Sequence, residues 1–144
     1  MRRRNFLASL AAAGAASVLD PGYLAAKEAL GQGKAASQPV PRRRFGGHED
    51  ELSIIGFGGI TVDNVTADEA ARLVAAAVDR GVNYFDVAPT YGNAQERLGP
   101  ALAPYRRRCF LACKTTERDA VGSAQELEQS LKALRTDHVD LVQL

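Results

Sequence analysis

The sequence predicts an α/β fold, the N-terminal half of a (β/α)8 barrel, incomplete because it supplies four of the eight strands. Apolar strand-like segments alternate with amphipathic helical segments, in the order strand-helix-strand-helix-strand-helix-strand. The loops between them are short, and the strands are apolar, which is typical of a parallel sheet covered by helices. A complete barrel of this type needs about 250 residues.

The first predicted strand, residues 52–57, is followed by Gly58-Gly59, and the glycine pattern separates two parallel architectures. A doubly wound sheet that binds a dinucleotide has a third glycine three residues later, and its helix opens directly on that turn. In this sequence residues 60–65 intervene before the next helix. We therefore favour the start of a barrel over a doubly wound sheet.

The first predicted helix begins at a capping box, in which Thr66 caps the helix and Glu69 reaches back to it. Its apolar residues keep helical spacing up to Gly81 at the C-cap. The second strand, residues 82–87, begins directly after this glycine.

Two more helices and two more strands complete the pattern. The second helix begins after Asn93 and runs to about residue 103, and its interior Gly99-Pro100 pair must kink or split it. The third helix is predicted to begin at a second capping box, formed by Ser123 and Glu126. The third and fourth strands are residues 109–114 and 139–144.

Composition and cysteine placement exclude some classes of function. The chain has 144 residues, a formal net charge of +1, 46% hydrophobic and 24% charged residues, which is an ordinary globular composition. A charge so near zero argues against nucleic acid as a partner. Cys109 and Cys113 are about 13 Å apart along one strand, whereas a disulfide needs Cα atoms within about 7 Å. We interpret both as buried free thiols, and we assign no metal site.

The first thirty residues are predicted to be a signal peptide and residues 31–51 a linker, with a small hairpin around Arg44 to Gly46. Arg3-Arg4, followed by Asn5-Phe6-Leu7, resembles the twin-arginine export motif. The apolar run after it is too short for a stable membrane span, which takes about 20 residues. We therefore expect the twin-arginine machinery to export the protein to the periplasm or beyond the cell. A frayed basic N-terminus is the alternative.

Three side chains with proton chemistry fall where a barrel places its active site, at the C-terminal ends of the strands. Asp86 is near the C-terminal end of the second strand, Tyr91 lies in the loop after it, and Lys114 ends the third strand. Side-chain alternation puts Asp86 on one face with Tyr84, while Phe85 points to the helices. If Asp86 and Lys114 both point into the barrel mouth, they can pair from neighbouring strands.

The segments FDVAPTYG, ERLG, LACKT and LRTDHVDLVQL, in that order, resemble the aldo-keto reductase family over residues 52–144. The resemblance implies hydride transfer between NADPH and the carbonyl of a small-molecule substrate. It makes Tyr91 the general acid, Lys114 the cation that favours loss of the phenol proton, and Asp86 the counter-ion of Lys114. It also implies that Gly58 and Gly59 let the first loop approach the nicotinamide side of the site.

One family residue is missing from the pattern, a catalytic histidine directly after the DLVQL-like strand. That position would follow Leu144, and His138 is no substitute because it precedes the strand, at the opposite end of the barrel. We therefore expect this chain to be a fragment of a longer reductase, neither stable nor active alone. The alternatives are a non-catalytic, nucleotide-binding or regulatory member of the same fold, and a short chain that assembles with a complementary half.

Overall fold

The computed structural model describes residues 38–144. The predicted signal peptide and the linker up to residue 37 lie outside the described residues. The unit Gln38–Leu144 contains the last part of the predicted linker together with the whole predicted barrel segment. Within this unit, no helix combines the length and apolar character needed to cross a bilayer.

The chain enters the fold through an antiparallel hairpin of two short strands, β1 (Arg42–Arg44) and β2 (Glu51–Ser53). The predicted hairpin is thus confirmed. Its turn includes Gly46 at a φ of +56°, a left-handed conformation that glycine adopts without a steric penalty. Asn83 ties the hairpin to the sheet, because its side-chain oxygen accepts from Ser53 N at 2.7 Å and its amide donates to Glu51 O at 2.8 Å.

The main sheet has four parallel strands in sequential order, β3-β4-β5-β6. A doubly wound sheet reverses its strand order at a switch point, whereas this order runs without reversal, as it does in a barrel. The predicted fold class, an incomplete (β/α)8 barrel, is therefore confirmed. The strands are β3 (Phe57–Gly58), β4 (Tyr84–Asp86), β5 (Phe110–Lys114) and β6 (Leu141–Gln143).

The first predicted strand, residues 52–57, is wrong as a single buried element. Its first residues belong to the hairpin, and parallel pairing begins only where Phe57 lies opposite Phe85. Between them, Ile54 and Ile55 are 52% and 59% exposed. An apolar run indicates a preference for burial, but it does not say which backbone the run will pair with.

Three helices cover one face of the sheet: α1 (Ala67–Asp79), α2 (Ala94–Leu102) and α3 (Ala120–Leu134). Thr66 caps α1 as predicted, accepting from Glu69 N at 3.2 Å, and Gly81 follows the helix with a φ of +89°. Helix α2 is not split at Pro100; it continues to Leu102 and then tightens into the 3-10 helix Ala103–Arg108. A shorter 3-10 helix, Gly59–Val62, follows β3.

The predicted start of α3 at Ser123 is wrong, because the helix begins one turn earlier. Asp119 is the N-cap, and its carboxylate accepts from Val121 N at 3.0 Å and Gly122 N at 2.9 Å. The Ser123 hydroxyl donates instead to Glu117 O at 3.2 Å. Asp and Ser are comparable N-cap residues. Which of the two caps the helix therefore depends on tertiary contacts, and these cannot be seen in the sequence.

The core lies between the sheet and the helices, and strand alternation predicts correctly which residues enter it. Phe85, Leu111 and Cys113 are buried in this core. On the opposite face, the ring of Phe110 packs against Tyr84 at 5.9 Å between centroids. Both cysteines are buried and free, as predicted. Burial raises the pKa of the Cys109 thiol, although nearby arginine side chains act in the opposite direction.

Candidate active site

Asp86 and Lys114 form an ion pair at the C-terminal edge of the sheet. Strand β5 lies beside β4, with Asp86 opposite Ala112, so Lys114 projects from the same face two residues further along. The Lys114 ammonium donates to Asp86 Oδ1, and both side chains are largely buried, with exposed fractions of 29% and 23%. The structure thus brings two of the predicted site residues into direct contact.

Tyr91 lies beside this pair, in the loop that follows β4. The Lys114 Nζ is 5.4 Å from the centroid of the Tyr91 ring, within the distance over which a cation and an aromatic face attract. The loop backbone is ordered at this point, since Tyr91 N donates to Ala88 O at 3.2 Å and Tyr91 O accepts from Ala94 N at 2.9 Å. A carboxylate, an ammonium and a phenol therefore converge at one edge.

The loop carrying Tyr91 is fastened to the loop after β3. Asp63 Oδ1 accepts from Asn93 N at 3.1 Å, and Asn93 Oδ1 accepts from Asn64 N at 2.9 Å. Gly92 is required here: its φ is +55°, and a Cβ atom at this position would lie 2.1 Å from Asp63 Oδ1. The backbone directly after Tyr91 is thus held against the first loop of the barrel.

Gln143, on the last strand, is a member of the site that sequence reasoning missed. Its Nε2 donates to Asp86 Oδ2 at 3.1 Å. Strand register gives a reason, because Gln143 is directly opposite Lys114 on the adjacent strand. The sequence did offer one signal, a polar residue near the C-terminal end of a strand. That signal identifies Gln143 as a site residue only once the register between β5 and β6 is known.

The electrostatics of the site favour a charged lysine. Burial by itself would lower the pKa of Lys114, but the hydrogen bond and the negative charge of Asp86, helped by Tyr91, outweigh it and raise that pKa above its usual value. The site therefore keeps an ammonium group beside the phenol throughout the neutral pH range.

The segment after Lys114 is secured from helix α3. Glu126 Oε2 accepts from Thr115 Oγ1 at 2.6 Å and from Thr116 N at 2.7 Å, and its other oxygen accepts from Thr116 Oγ1 at 2.9 Å. These hydrogen bonds, that from Thr115 first, lower the pKa of the Glu126 carboxyl. Glu126 was predicted to close a capping box, but its carboxylate holds this loop instead.

The two glycines predicted to face a nicotinamide differ in their surroundings. Gly58 is exposed and in register with Asp86, and the only atom near an added Cβ would be Ile60 Cγ2, at 3.9 Å. Gly59 is buried, and an added Cβ would lie 2.8 Å from Val87 Cγ2. Gly58 thus leaves open space beside Asp86, whereas packing against β4 accounts for Gly59.

A cavity of about 360 Å³ opens beside the ion pair, and the residues that line it include Thr90, Lys114, Arg118 and Gln143. The lining combines two cationic side chains with apolar surface that includes Ala88 and Leu144. Among the residues that the structure describes, no three His, Cys, Asp or Glu side chains are grouped as a metal ion would require.

His138 belongs to a different part of the molecule, just before β6. Its Nδ1 is 2.6 Å from Asp137 Oδ1, a hydrogen bond that lowers the pKa of the Asp137 carboxyl. Nearby, Arg106 forms an ion pair with Asp140 at 3.0 Å. Arg106, Asp137 and His138 border a separate cavity of about 380 Å³ whose lining includes none of the predicted site residues.

Comparison with known proteins gives a family for this arrangement. The model of the aldo/keto reductase family matches residues 54–144, which is more than half of the chain. The matched region contains the whole main sheet and the three side chains that converge at its edge.

Individual relatives agree with this match. An aldo-keto reductase of Bacillus subtilis, YhdN, is 32% identical over 113 residues, covering 65% of this chain and 34% of its own length. A 6-dehydroglucose reductase of Novosphingobium aromaticivorans is 30% identical over 126 residues, covering 74% of this chain and 41% of its own.

A solved structure, a putative aldo-keto reductase from Pseudomonas aeruginosa, superposes with a TM-score of 0.69 at 30% identity, covering 76% of this chain and 48% of that one. The chain therefore spans less than half the length of each of these three relatives.

Proposed function

This chain belongs to the aldo/keto reductase family, and from that premise we propose that the full-length protein is an NADPH-dependent reductase of aldehyde, ketone or sugar carbonyls. Family membership implies an oxidoreductase. The finer proposal depends on one observation, that the Lys114 ammonium contacts Asp86 on one side and lies 5.4 Å from the Tyr91 ring on the other.

In this proposal Tyr91 is the general acid. Its phenol donates a proton to the carbonyl oxygen of the substrate and becomes a phenolate, so the proton lost by Tyr91 appears on the product hydroxyl. NADPH, when bound, supplies the hydride that the carbonyl carbon accepts. Lys114 favours the reaction because its positive charge stabilises the negative charge that develops on the phenol.

Asp86 keeps Lys114 in place and charged. An unpaired ammonium in a partly buried site tends to lose its proton, because burial disfavours the charged form. The Asp86 carboxylate reverses that tendency. Asp86 also lies beside Gly58, where an added Cβ would meet open space, and we assign these two residues to the side of the site that would face the nicotinamide ring.

The test is the loss of NADPH absorbance by the full-length protein with a panel of aldehydes, ketones and keto-sugars, the sugars being included because one relative is a 6-dehydroglucose reductase. Tyr91→Phe removes the phenol proton and keeps the ring, so turnover should fall by about 100-fold or more while NADPH still binds. Lys114→Met should lower turnover comparably.

Two results would contradict this assignment. Unchanged turnover of the Tyr91→Phe variant would show that Tyr91 is not the general acid. An unsubstituted protein that binds NADPH, yet reduces no member of the panel, would favour the non-catalytic nucleotide-binding alternative. Identifying the residue that follows Leu144 adds an independent observation, since the family reductases carry a histidine there.

We also propose that the twin-arginine machinery exports the protein to the periplasm or beyond. The basis is the sequence Arg3-Arg4-Asn5-Phe6-Leu7 ahead of a short alanine-rich run. That route carries folded proteins, which suits an enzyme that must bind its nucleotide before export. Replacing Arg3 and Arg4 together by lysine should retain the protein in the cytoplasm, whereas Arg2→Lys should not. Export of the double variant would contradict the proposal.

A further inference from the structure

The further inference concerns Gln143 and rests on the proposed function. We propose that Gln143 is a positioning residue for the carbonyl reduction: its side-chain amide holds the Asp86 carboxylate in the orientation that keeps Lys114 beside Tyr91. Its proposed role is exerted through Asp86, the residue to which its side-chain amide donates.

The two carboxylate oxygens of Asp86 have different partners. Oδ1 accepts from Lys114, and Oδ2 accepts from Gln143 Nε2 at 3.1 Å. Only the nitrogen end of an amide can donate to an ionised carboxylate, so this contact fixes the orientation of the amide as well. A carboxylate held at one oxygen can rotate about its terminal bond, whereas one held at both oxygens cannot do so without breaking a hydrogen bond.

Gln143 is itself well placed to be a fixed anchor. It lies opposite Lys114 in the ladder between β5 and β6, and its carbonyl accepts from Thr115 N at 2.9 Å. Its side chain reaches across strand β5 to a residue of β4. That span needs the length of a glutamine, because neighbouring strands are about 4.8 Å apart.

The charged groups around the Gln143 amide determine which residue type is compatible with the ion pair. Asp86 accepts from the amide, Lys114 is the ion-pair partner of Asp86 with the titratable Tyr91 phenol beside it, and Arg118 lines the adjoining cavity. The neutral amide satisfies the second oxygen without adding a charge. A cation at this position would compete with Lys114 for the carboxylate, and an anion would repel Asp86, so an uncharged donor is the residue type that leaves the ion pair intact.

The test compares three variants of the full-length protein. Gln143→Met keeps the length and removes the donor; kcat should fall about tenfold, the effect of losing one hydrogen bond to a charged group, with KM for the carbonyl within about twofold. Gln143→Glu removes the donor only while it is ionised. Gln129→Met makes the same chemical change on the exposed surface of α3, and its kinetics should match those of the unsubstituted protein.

The pH profile of Gln143→Glu separates positioning from packing. As pH falls, the new carboxyl group takes up a proton and can again donate to Asp86, so activity relative to Gln143→Met should rise toward acid pH. Relief of the repulsion between two carboxylates would by itself bring Gln143→Glu only up to the activity of Gln143→Met, whereas a restored hydrogen bond to Asp86 should bring it above that level. A Gln143→Met variant with the kcat of the unsubstituted protein, or a Gln143→Glu variant that does not exceed Gln143→Met at acid pH, would overturn the inference.

A measurement on Lys114 distinguishes failure of this inference from failure of the proposed function. If the unsubstituted protein turns over no carbonyl with NADPH, the proposed function fails, yet the ammonium of Lys114 can still be titrated by nitrogen NMR. In Gln143→Met its pKa should fall, because Asp86, which raises it, is no longer held in place. An unchanged titration would overturn the positioning role whether or not the protein is an enzyme.

Discussion

Lys114 is the side chain in which two opposing physical effects are most clearly balanced. Burial disfavours its charge, and the adjacent Asp86 carboxylate favours it. The second effect is the larger, so the folded protein holds the proton on Lys114 more tightly than the unfolded chain does. Protonation of this residue and stability of the fold are therefore linked.

This linkage predicts a pH-dependent effect of Asp86→Asn in the full-length protein. Because the pKa of Lys114 is raised in the folded state, its contribution is fully present below the unfolded-state pKa and is lost as pH rises through the folded-state pKa. The variant lacks this contribution. The difference in the free energy of unfolding between the two proteins should be constant from about pH 7 to 9 and should shrink above about pH 10.4.

Urea titrations across this pH range would measure the effect. Asp50→Asn, a change in the exposed turn of the hairpin, is the matched control, and its difference from the unsubstituted protein should not vary with pH in this way. A difference for Asp86→Asn that persists undiminished to pH 11 would contradict the linkage.

Single residues also show where sequence reasoning succeeds and where it stops. Asp86 and Lys114 could be predicted to share a face, because side-chain direction in a strand follows a period of two. Gln143 could not be predicted to join them, since its contact depends on the register between β5 and β6. Register is a property of pairing between strands, and a single strand does not contain it.

At the scale of elements, the start of helix α3 shows how neighbouring caps compete. Asp119 and Ser123 are both good capping residues, but Glu126, the partner that Ser123 would need, is engaged by Thr115 and Thr116. The serine therefore becomes an ordinary member of the first turn. The sequence pattern correctly indicates that a helix begins in this region. The helix begins one turn before the predicted position because Glu126 bonds to the loop and not to the predicted cap.

This competition predicts unequal effects of two alanine substitutions in the full-length protein. Asp119→Ala leaves Val121 N and Gly122 N without their acceptor and should lower the free energy of unfolding by about 1 kcal/mol. Ser123→Ala should change it by less than about 0.5 kcal/mol. Chemical denaturation measures both, and a larger cost at Ser123 would mean that the helix begins where the sequence pattern placed it.

The crossing of α2 and α3 depends on one glycine. A Cβ atom at Gly99 would lie 2.3 Å from Leu134 O, a backbone atom that cannot move aside without moving the helix. The glycine that seemed to weaken α2 in the sequence is therefore what allows the two helices to approach. Burial at the crossing outweighs the helix propensity that glycine lacks.

We expect Gly99→Ala to destabilise the full-length protein, although alanine is the better helix former by about 1 kcal/mol. Overpacking of this kind costs about 1–3 kcal/mol, and the backbone contact places this case at the upper end. Gly47→Ala is the control, because no atom lies within 4 Å of the Cβ that it would add. A Gly99→Ala protein with an unchanged or higher melting temperature would contradict the packing argument.

At the scale of the whole molecule, both outer strands of the main sheet lack a second partner strand among residues 38–144. β3 and β6 each pair on one side only, and unpaired strand edges are sites of aggregation in isolated sheets. Several large apolar side chains are also exposed: Ile54, Ile55, Ile60, Val142 and Leu144. A closed barrel abolishes such edges and covers the inner face of its strands.

We therefore predict that residues 38–144, expressed alone, show no cooperative thermal transition by circular dichroism and elute as aggregates in size-exclusion chromatography. The same measurements on the full-length protein should give one cooperative transition and a defined molecular mass. A reversible, cooperative melt of the isolated segment would show that four strands and three helices suffice for a stable fold.

The hydrogen bond from Asn93 N to Asp63 makes the first loop of the barrel part of the support of the Tyr91 loop. Under the proposed function, a change in the length of that loop would consequently displace the phenol of Tyr91 as well.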